Sequence, residues 1–415
     1  MTADQPRIVI IGAGHAGGSC ATLLRQYGFA GSITLLGDEP VAPYQRPPLS
    51  KAYLKGDVGV DTLKLRPDAF YAQQNIDMRL GVTVTAIDPR AKRISIAGAV
   101  DEPYDFLVIA TGARARKLPV PGADLRNVCD LRTLADADRL KAAIVAGGHV
   151  AIVGGGYVGL EVAASARSLG ANATVIEREA RVLARVAAAP LSEFFERYHR
   201  AKGVDIRTGA SVTKLIGDAS GAVEAIEVDG RTLACDAAVI GVGAHAADEL
   251  ARAAGIRCEN GIAVDADART SDSHIFAIGD VTWRPMPLYG NRMFHLESVP
   301  NALEQAKQAA SAIVGRTGPA PEVPWFWSDQ YDLKLQIAGV PFDTQTPVVR
   351  GDPANAKFAV FHMSQGRVLA VEAVNAIPEF MVGKQLIASG AVVDPARLTD
   401  TTIAMKQMVE QKAST

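Results

Sequence analysis

Two copies of one motif limit what this chain can fold into. Ile8-Val9-Ile10-Ile11 runs straight into Gly12, Gly14 and Gly17, and Val150-Ala151-Ile152-Val153 runs into Gly154, Gly156 and Gly159. A helix-compatible run follows each glycine set, Gly18 to Tyr27 and Tyr157 to Leu169, and then a short apolar strand, Ser32 to Leu36 and Ala173 to Ile176. An acid closes each repeat, Asp38 in the first and Glu177 in the second, a little over ~20 residues beyond the first glycine. In such a unit the first glycine permits a tight turn, the second lets backbone approach a pyrophosphate, and the third lets helix and strand pack closely. The helix start offers unpaired N–H groups to the phosphates, and the acid can hold ribose hydroxyls. One such loop is a weak signal. Two complete ones predict that the chain binds two dinucleotides, the mark of an enzyme.

The remaining segments fit α/β layers. Phe106 to Ala110 reads as a buried strand ending in Thr111-Gly112-Ala113, small enough for a ligand to lie against the backbone. Ala237 to Gly243 repeats that form, and His274 to Gly279 delivers Asp280 from a strand end, where it is expected to meet the first nucleotide's sugar. Asp77 to Asp88 and Arg93 to Ala97 read as short strands, and Asp205 to Cys235 as strands turning at Gly209, Gly217 and Gly230. Helices are expected from about Lys51 to Leu54 (capped by Ser50), Ser192 to Lys202 and Pro300 to Val314. Pro119, Pro121 and Gly122 mark a domain crossing, and Gly315 to Pro321 a linker. Beyond it, strands Lys357 to His362 and Arg367 to Val374 and helices Glu379 to Ser389 and Thr401 to Gln411 suggest a small α+β domain.

A chain of 415 residues has room for two or three cores, and a net charge of −2 argues against nucleic acid or an anionic membrane as the main partner. No apolar run approaches ~18 residues, so no membrane span is expected, and polar Met1 to Arg7 reads as neither signal nor transit peptide. Cys20, Cys129, Cys235 and Cys258 lie far apart, with no metal-ligand spacing, so buried free thiols in a reducing cytoplasm and no metal site are expected.

Five runs carry a family resemblance: Pro47-Pro48-Leu49-Ser50-Lys51, Gly154 to Glu161, Ile278-Gly279-Asp280, Glu297 to Ala302, and Trp325-Phe326-Trp327-Ser328-Asp329-Gln330. The first and last are far more specific than the glycine loops. Over nearly its whole length the chain resembles the bacterial FAD-dependent NADH:ferredoxin reductases, the group that includes the reductase components of aromatic-ring dioxygenases. The resemblance implies two Rossmann-like dinucleotide-binding domains of glutathione-reductase type plus a small C-terminal α+β domain. It implies an FAD domain from 1–114 and 246–322, an NAD domain at 115–245, and a third domain at 323–415. FAD would be met by Gly12, Gly14, Ala16, Gly17, Asp38, Arg46, Lys51, Val84, Thr111, Gly112, Arg132, Asp280 and Val299. NADH would be met by Gly154, Gly156, Val158, Gly159, Glu161, Glu177, Gly243 and Glu297. His15 departs from the pattern, since relatives often carry an apolar residue there. A tolerated, outward-pointing substitution is expected, with contact to the pyrophosphate as the alternative.

Two nucleotide sites suggest hydride transfer from a nicotinamide to a flavin and then onward electron transfer. A disulfide or peroxide reductase needs a cysteine on the first helical segment after the FAD acid, and Pro47 to Leu54 contains none. A flavin without a redox thiol can reduce a quinone, oxygen or an iron–sulfur protein. Trp325 and Trp327 favour the last, and the resemblance implies a 2Fe–2S ferredoxin serving a haem monooxygenase or ring dioxygenase and docking near Trp327, Lys307 and Lys406. A flavin NADH oxidase or quinone reductase is the alternative. A flavin-binding signalling protein akin to apoptosis-inducing factor usually brings a targeting region and basic surface not read here. Lys51, Glu161 and Trp327 are the expected catalytic residues, the first two as an ion pair beside the flavin. The protein is expected to be a monomer or weak dimer.

Overall fold

The computed structural model describes residues 5–344 and 346–409. The chain divides into two compact units, the first built from 1–46, 60–114 and 244–322 and the second from 47–59, 115–243 and 323–415.

In the first unit the strand Arg7–Ile11 lies between Ser32–Leu36 and Phe106–Ile109, with Ile76–Arg79 and Ile275–Ala277 at the edges, all parallel. The three inner strands, Arg7–Ile11, Ser32–Leu36 and Phe106–Ile109, are mostly Ile, Val and Leu because both faces of the sheet are covered there, whereas the edge strand Ile76–Arg79 carries Asp77 and Arg79. The helices His15–Gln26 and Val299–Ile313 pack together on one face, around Leu24, Ala306 and Ala309. A smaller antiparallel sheet, Val84–Asp88 with Arg93–Ile96 and Glu102–Pro103, contributes Val84, Ile87 and Ile94 to the core on the other face. Four of the first strand's five side chains are buried, which fixes its register against both neighbours.

The second unit repeats this layout. His149–Val153 is central, with Asn172–Glu177 and Val204–Thr208 on one side and Ala237–Ile240 and Val128–Cys129 on the other, again all parallel. The helix Tyr157–Ser168 follows the second glycine loop. The same unit holds an antiparallel sheet in the order Trp325–Gln330, Leu333–Gly339, Arg367–Val374, Lys357–Ser364, Val348–Asp352. The helix Ile377–Ser389 lies on it, close enough that a Cβ on Gly383 would stand 2.5 Å from Val371 Cγ1.

Three expectations need correction. The strand read over 77–88 is two, Ile76–Arg79 and Val84–Asp88, because Gly81 turns in the left-handed region and Val82 N–H bonds the Gly37 carbonyl. The helix read from 401 is a short 3-10 turn at Met405–Met408, with 410 and 411 outside the described residues. There Asp400 Oδ1 accepts from the Thr402 N–H and hydroxyl, a local bond that competes with helix formation. Ser50 does not cap the helix Ala52–Lys55. That helix has no side-chain cap, and the Ser50 hydroxyl donates to Glu161 instead.

Candidate active site

Both glycine loops sit where the central strand's two neighbours diverge, the switch point at which α/β sheets receive ligands. Gly12 has φ +110°, and a Cβ there would lie 2.2 Å from the Ala110 carbonyl oxygen; on Gly17 it would lie 1.9 Å from the Gly12 oxygen. Gly154 and Gly159 repeat this geometry, at φ +110° and 2.3 Å from the Gly241 oxygen, and at 2.1 Å from the Gly154 oxygen. The middle glycines differ in kind. A methyl group added at Gly14 or at Gly156 would meet nothing within 4 Å, so the protein itself does not demand a glycine there. A dinucleotide pressed against the backbone would. The helices begin at once with those glycines as N-caps and no side chain covering their first N–H groups.

The first cradle is completed inside its own unit. Gly279 N–H bonds Gln305 Oε1 at 2.8 Å, and a Cβ on Gly279 would be 3.0 Å from the Ala16 methyl, so the strand end carrying Asp280 is seated on the loop helix. Thr111 Oγ1 bonds the Ala247 carbonyl at 2.8 Å, and Gly112 takes φ +70°. Val299 opens the second helix of this layer, whose N-cap Ser298 accepts from Asn301 N–H. His15 does not point outward as expected. Its Nδ1 is buried without a partner, burial holds its pKa below the usual imidazole value, and Asp280 pulls the other way. An orphaned nitrogen at the start of a phosphate-binding helix fits a dinucleotide pyrophosphate. Asp38 is exposed. It stands one residue past the strand-end register that Glu177 occupies, a place taken here by Gly37 beside Ala13. Arg46 is ion-paired with Glu39 at 2.6 Å and stacks on Tyr44.

The second cradle carries a braced acid. Glu177 Oε2 accepts Gly155 N–H at 2.7 Å and Oε1 accepts Glu179 N–H at 2.8 Å, which aims the carboxylate across the glycine loop. Val158 is exposed on the first helical turn, and Gly243, at φ +99°, is bonded through its carbonyl to Arg116 N–H. Arg132 lies beside the capping box of Thr133 and Asp136, its N–H donating to Asp136. Glu297, in the first unit, accepts from His295 Nε2 at 3.0 Å. Burial alone would hold His295 down; Glu297, the Thr282 carbonyl and Asp280 together carry its pKa above the ordinary value.

Within the second unit the 3-10 turn Pro47–Ser50 brings Lys51 against the glycine-loop helix. Lys51 Nζ is 2.7 Å from Glu161 Oε2, with side-chain exposures of 17% and 5%. The ammonium also donates to the Pro47 carbonyl at 3.0 Å, and Ser165 Oγ pins the turn by bonding the Ser50 carbonyl at 2.7 Å. On the C-terminal sheet Trp325 and Trp327 are half-buried, with ring centroids 5.6 Å apart, and Lys384 Nζ sits 5.2 Å from the Trp325 ring.

Comparison with known proteins agrees with this geometry. Residues 6–306 match the model of the family described as pyridine nucleotide-disulphide oxidoreductase, and residues 325–409 match one described as reductase C-terminal. The chain belongs to the pyridine nucleotide-disulphide oxidoreductase family. It is 54% identical over 404 residues to a probable ferredoxin reductase, CtmF, of Castellaniella defragrans, covering 97% of this chain and 98% of that one. It is 40% identical to putidaredoxin reductase CamA of Pseudomonas putida, covering 97% and 96%. Among solved structures it matches a covalent putidaredoxin reductase–putidaredoxin complex with a TM-score of 0.96 at 40% identity, covering 99% of each chain. As a member of this family it is an oxidoreductase that uses FAD and a nicotinamide cofactor.

The family is named for a disulfide that this chain lacks. Burial pushes the thiols of Cys20 and Cys235 up to about 12 and that of Cys258 to about 11, and raises Cys129 as well, so all four are protonated near neutral pH. Among the described residues no cluster of His, Cys, Asp and Glu could hold a metal ion, and no helix is long and apolar enough to cross a membrane. Ser50, Ser165, Ser328, Gln330 and Gln305 were not legible as site residues. Ser50, Ser328 and Gln330 lie inside the two specific runs, but the role of each of the five depends on a partner far away in the chain, which no local pattern specifies.

Proposed function

We propose that this protein takes a hydride from NADH into bound FAD and passes the electrons singly to a 2Fe–2S ferredoxin that supplies a haem monooxygenase or ring dioxygenase. One observation carries the reading. The segment where a disulfide-reducing relative needs its thiol holds no cysteine, and places Lys51 in an ion pair with Glu161 of the nicotinamide-binding helix. FAD, when bound, is the group that turns a two-electron donor into a one-electron source. Glu177 receives the adenosine ribose of NADH. Lys51, its ammonium kept oriented by Glu161, would offer positive charge to a bound flavin.

The acceptor docks on the tryptophan-bearing face, with Trp327 shortening the electron path. Lys406 is exposed. Lys307 lies 3.5 Å from Glu322, but an exposed pair of this kind is worth no more than ~1 kcal/mol and leaves the lysine able to meet an acidic partner. The protein works as a monomer or weak dimer in the cytoplasm, where its four thiols stay reduced. Steady-state NADH oxidation with a 2Fe–2S ferredoxin, with oxygen and with a quinone tests the proposal. Ferredoxin should give by far the highest kcat/KM. Fast turnover on oxygen or quinone with none on any ferredoxin would favour an oxidase or quinone reductase instead.

A further inference from the structure

The Lys51–Glu161 pair is the near end of a longer buried chain. Glu161 Oε2 accepts Ser50 Oγ at 2.5 Å as well as Lys51. Its other oxygen, Oε1, accepts Ser328 Oγ at 2.6 Å. Gln330 Nε2 donates to Ser328 Oγ at 3.0 Å, and Gln330 Oε1 lies 2.7 Å from His199 Nε2. Glu161 is 5% exposed, Ser328 and Gln330 1% each, and His199 0%.

The direction of this chain follows from donor and acceptor capacity. The carboxylate only accepts, so the Ser328 hydroxyl must give it its hydrogen. Ser328 then has only lone pairs for Gln330, which must present its amide nitrogen and turn its oxygen to His199. His199 therefore carries its proton on Nε2. Its Nδ1 has no partner, and burial depresses its pKa to about 4, so it stays neutral. Every donor points toward Glu161, and none of these residues is exposed enough for water to replace a lost partner. Ser328 and Gln330 share one face of the strand Trp325–Gln330, and Trp325 and Trp327 share the other.

We infer that Ser328, backed by Gln330 and His199, is a positioning residue that fixes the rotamer of Glu161 and through it the ammonium of Lys51. This rests on the function proposed above. Without the Ser328 hydroxyl, Oε1 is buried and unsatisfied, and the carboxylate gains by turning away from Lys51.

The test uses the FAD-loaded protein, mixed anaerobically with NADH in a stopped-flow instrument, together with the flavin midpoint potential measured by spectroelectrochemistry. Ser328→Ala should slow flavin bleaching about 10-fold, the value of one hydrogen bond to a charged group, with little change in apparent NADH affinity. It should also lower the midpoint potential, because a displaced ammonium no longer favours the reduced ring. Ser328→Thr keeps the hydroxyl and should restore both. Gln330→Met, of similar volume, should slow bleaching about 3-fold. Wild-type rate and potential in Ser328→Ala, beside a wild type that NADH bleaches, would overturn the inference alone. A wild type that NADH does not bleach would overturn the function on which it rests.

Discussion

Glu177 is held by two backbone N–H groups, and on the proposed reading this readies its carboxylate for the two ribose hydroxyls of NADH and sets it against a 2′-phosphate. Of the neighbouring arginines, one is spent inside the protein and Arg185 lies beside Gly243. Arg181 is committed to the carbonyls of Ala184 and Ala187 and to Ser192 Oγ, and Arg178 is an exposed side chain beside Glu179. NADH should be preferred over NADPH by about 100-fold in kcat/KM, and Glu177→Ala should erase most of that ratio. Comparable values for the two coenzymes in the wild type would refute the assignment. The glycines separate fold from function. Gly12→Ala meets the Ala110 carbonyl at positive φ, and should lower stability by several kcal/mol, read by denaturant titration. Gly14→Ala and Gly156→Ala have room in the protein. They should keep the wild-type midpoint and lose, respectively, FAD retention on gel filtration and NADH affinity.

At the scale of elements, the glycine-loop helix Tyr157–Ser168 depends on what two other segments bring to it. Pro47–Ser50 and its neighbour Lys51 arrive from one side, the strand Trp325–Gln330 from the other. Lys51→Met should cost about 3 kcal/mol of stability by leaving Glu161 buried without its cation, and should slow hydride transfer as well. An unchanged midpoint and rate would mean that the ammonium is merely solvated. The helix Ala189–Ala201 carries His199, whose burial has a consequence for acid stability. The unfolded chain takes up a proton near pH 6.5, the folded one only near 4. Stability is therefore complete above about pH 6.5 and falls as pH drops toward 4, by about 3 kcal/mol from this group. His199→Asn, which cannot titrate, should flatten that part of the acid limb, checked by urea midpoints at each pH.

For the whole molecule, what was legible in the sequence is what is local. Gly12 to Gly17 and Gly154 to Gly159 declare their turns because the positive φ of each first glycine and the close approach of each third glycine to the first are settled within a few residues, although the carbonyls of Ala110 and Gly241 that also crowd the loops are distant in the chain. The inner parallel strands declare themselves as apolar runs, while the edge strands Ile76–Arg79 and Val204–Thr208, with Asp and Arg among their residues, do not. The resemblance of Pro47 to Lys51 and of Trp325 to Gln330 to known reductases supplied the function. The bond between Ser328 and Glu161 was hidden, since it joins residues 167 positions apart and serine is common everywhere. The misread helix beyond Thr401 has the same cause in reverse: Asp400 satisfies the backbone locally, and periodicity carries no trace of that. Docking belongs to this scale too. With a net charge of −2 the chain cannot steer an acidic partner as a whole, so attraction must come from local lysines. Reduction of ferredoxin should therefore slow as salt rises, with screening over ~10 Å at 0.1 M, and Lys406→Glu should slow it further at low salt. A rate independent of both would remove Lys406 from the docking face.

The central claim is that electrons entering as a hydride leave one at a time to an iron–sulfur protein. The direct measurement is an anaerobic single turnover: FAD-loaded protein and excess oxidised 2Fe–2S ferredoxin are mixed with limiting NADH, and the visible spectra of flavin and ferredoxin are followed together. The account predicts rapid flavin bleaching, then reoxidation matched by about two ferredoxins reduced per NADH. A flavin that stays bleached beside an unchanged ferredoxin spectrum, and recovers only when oxygen or quinone is admitted, would contradict it.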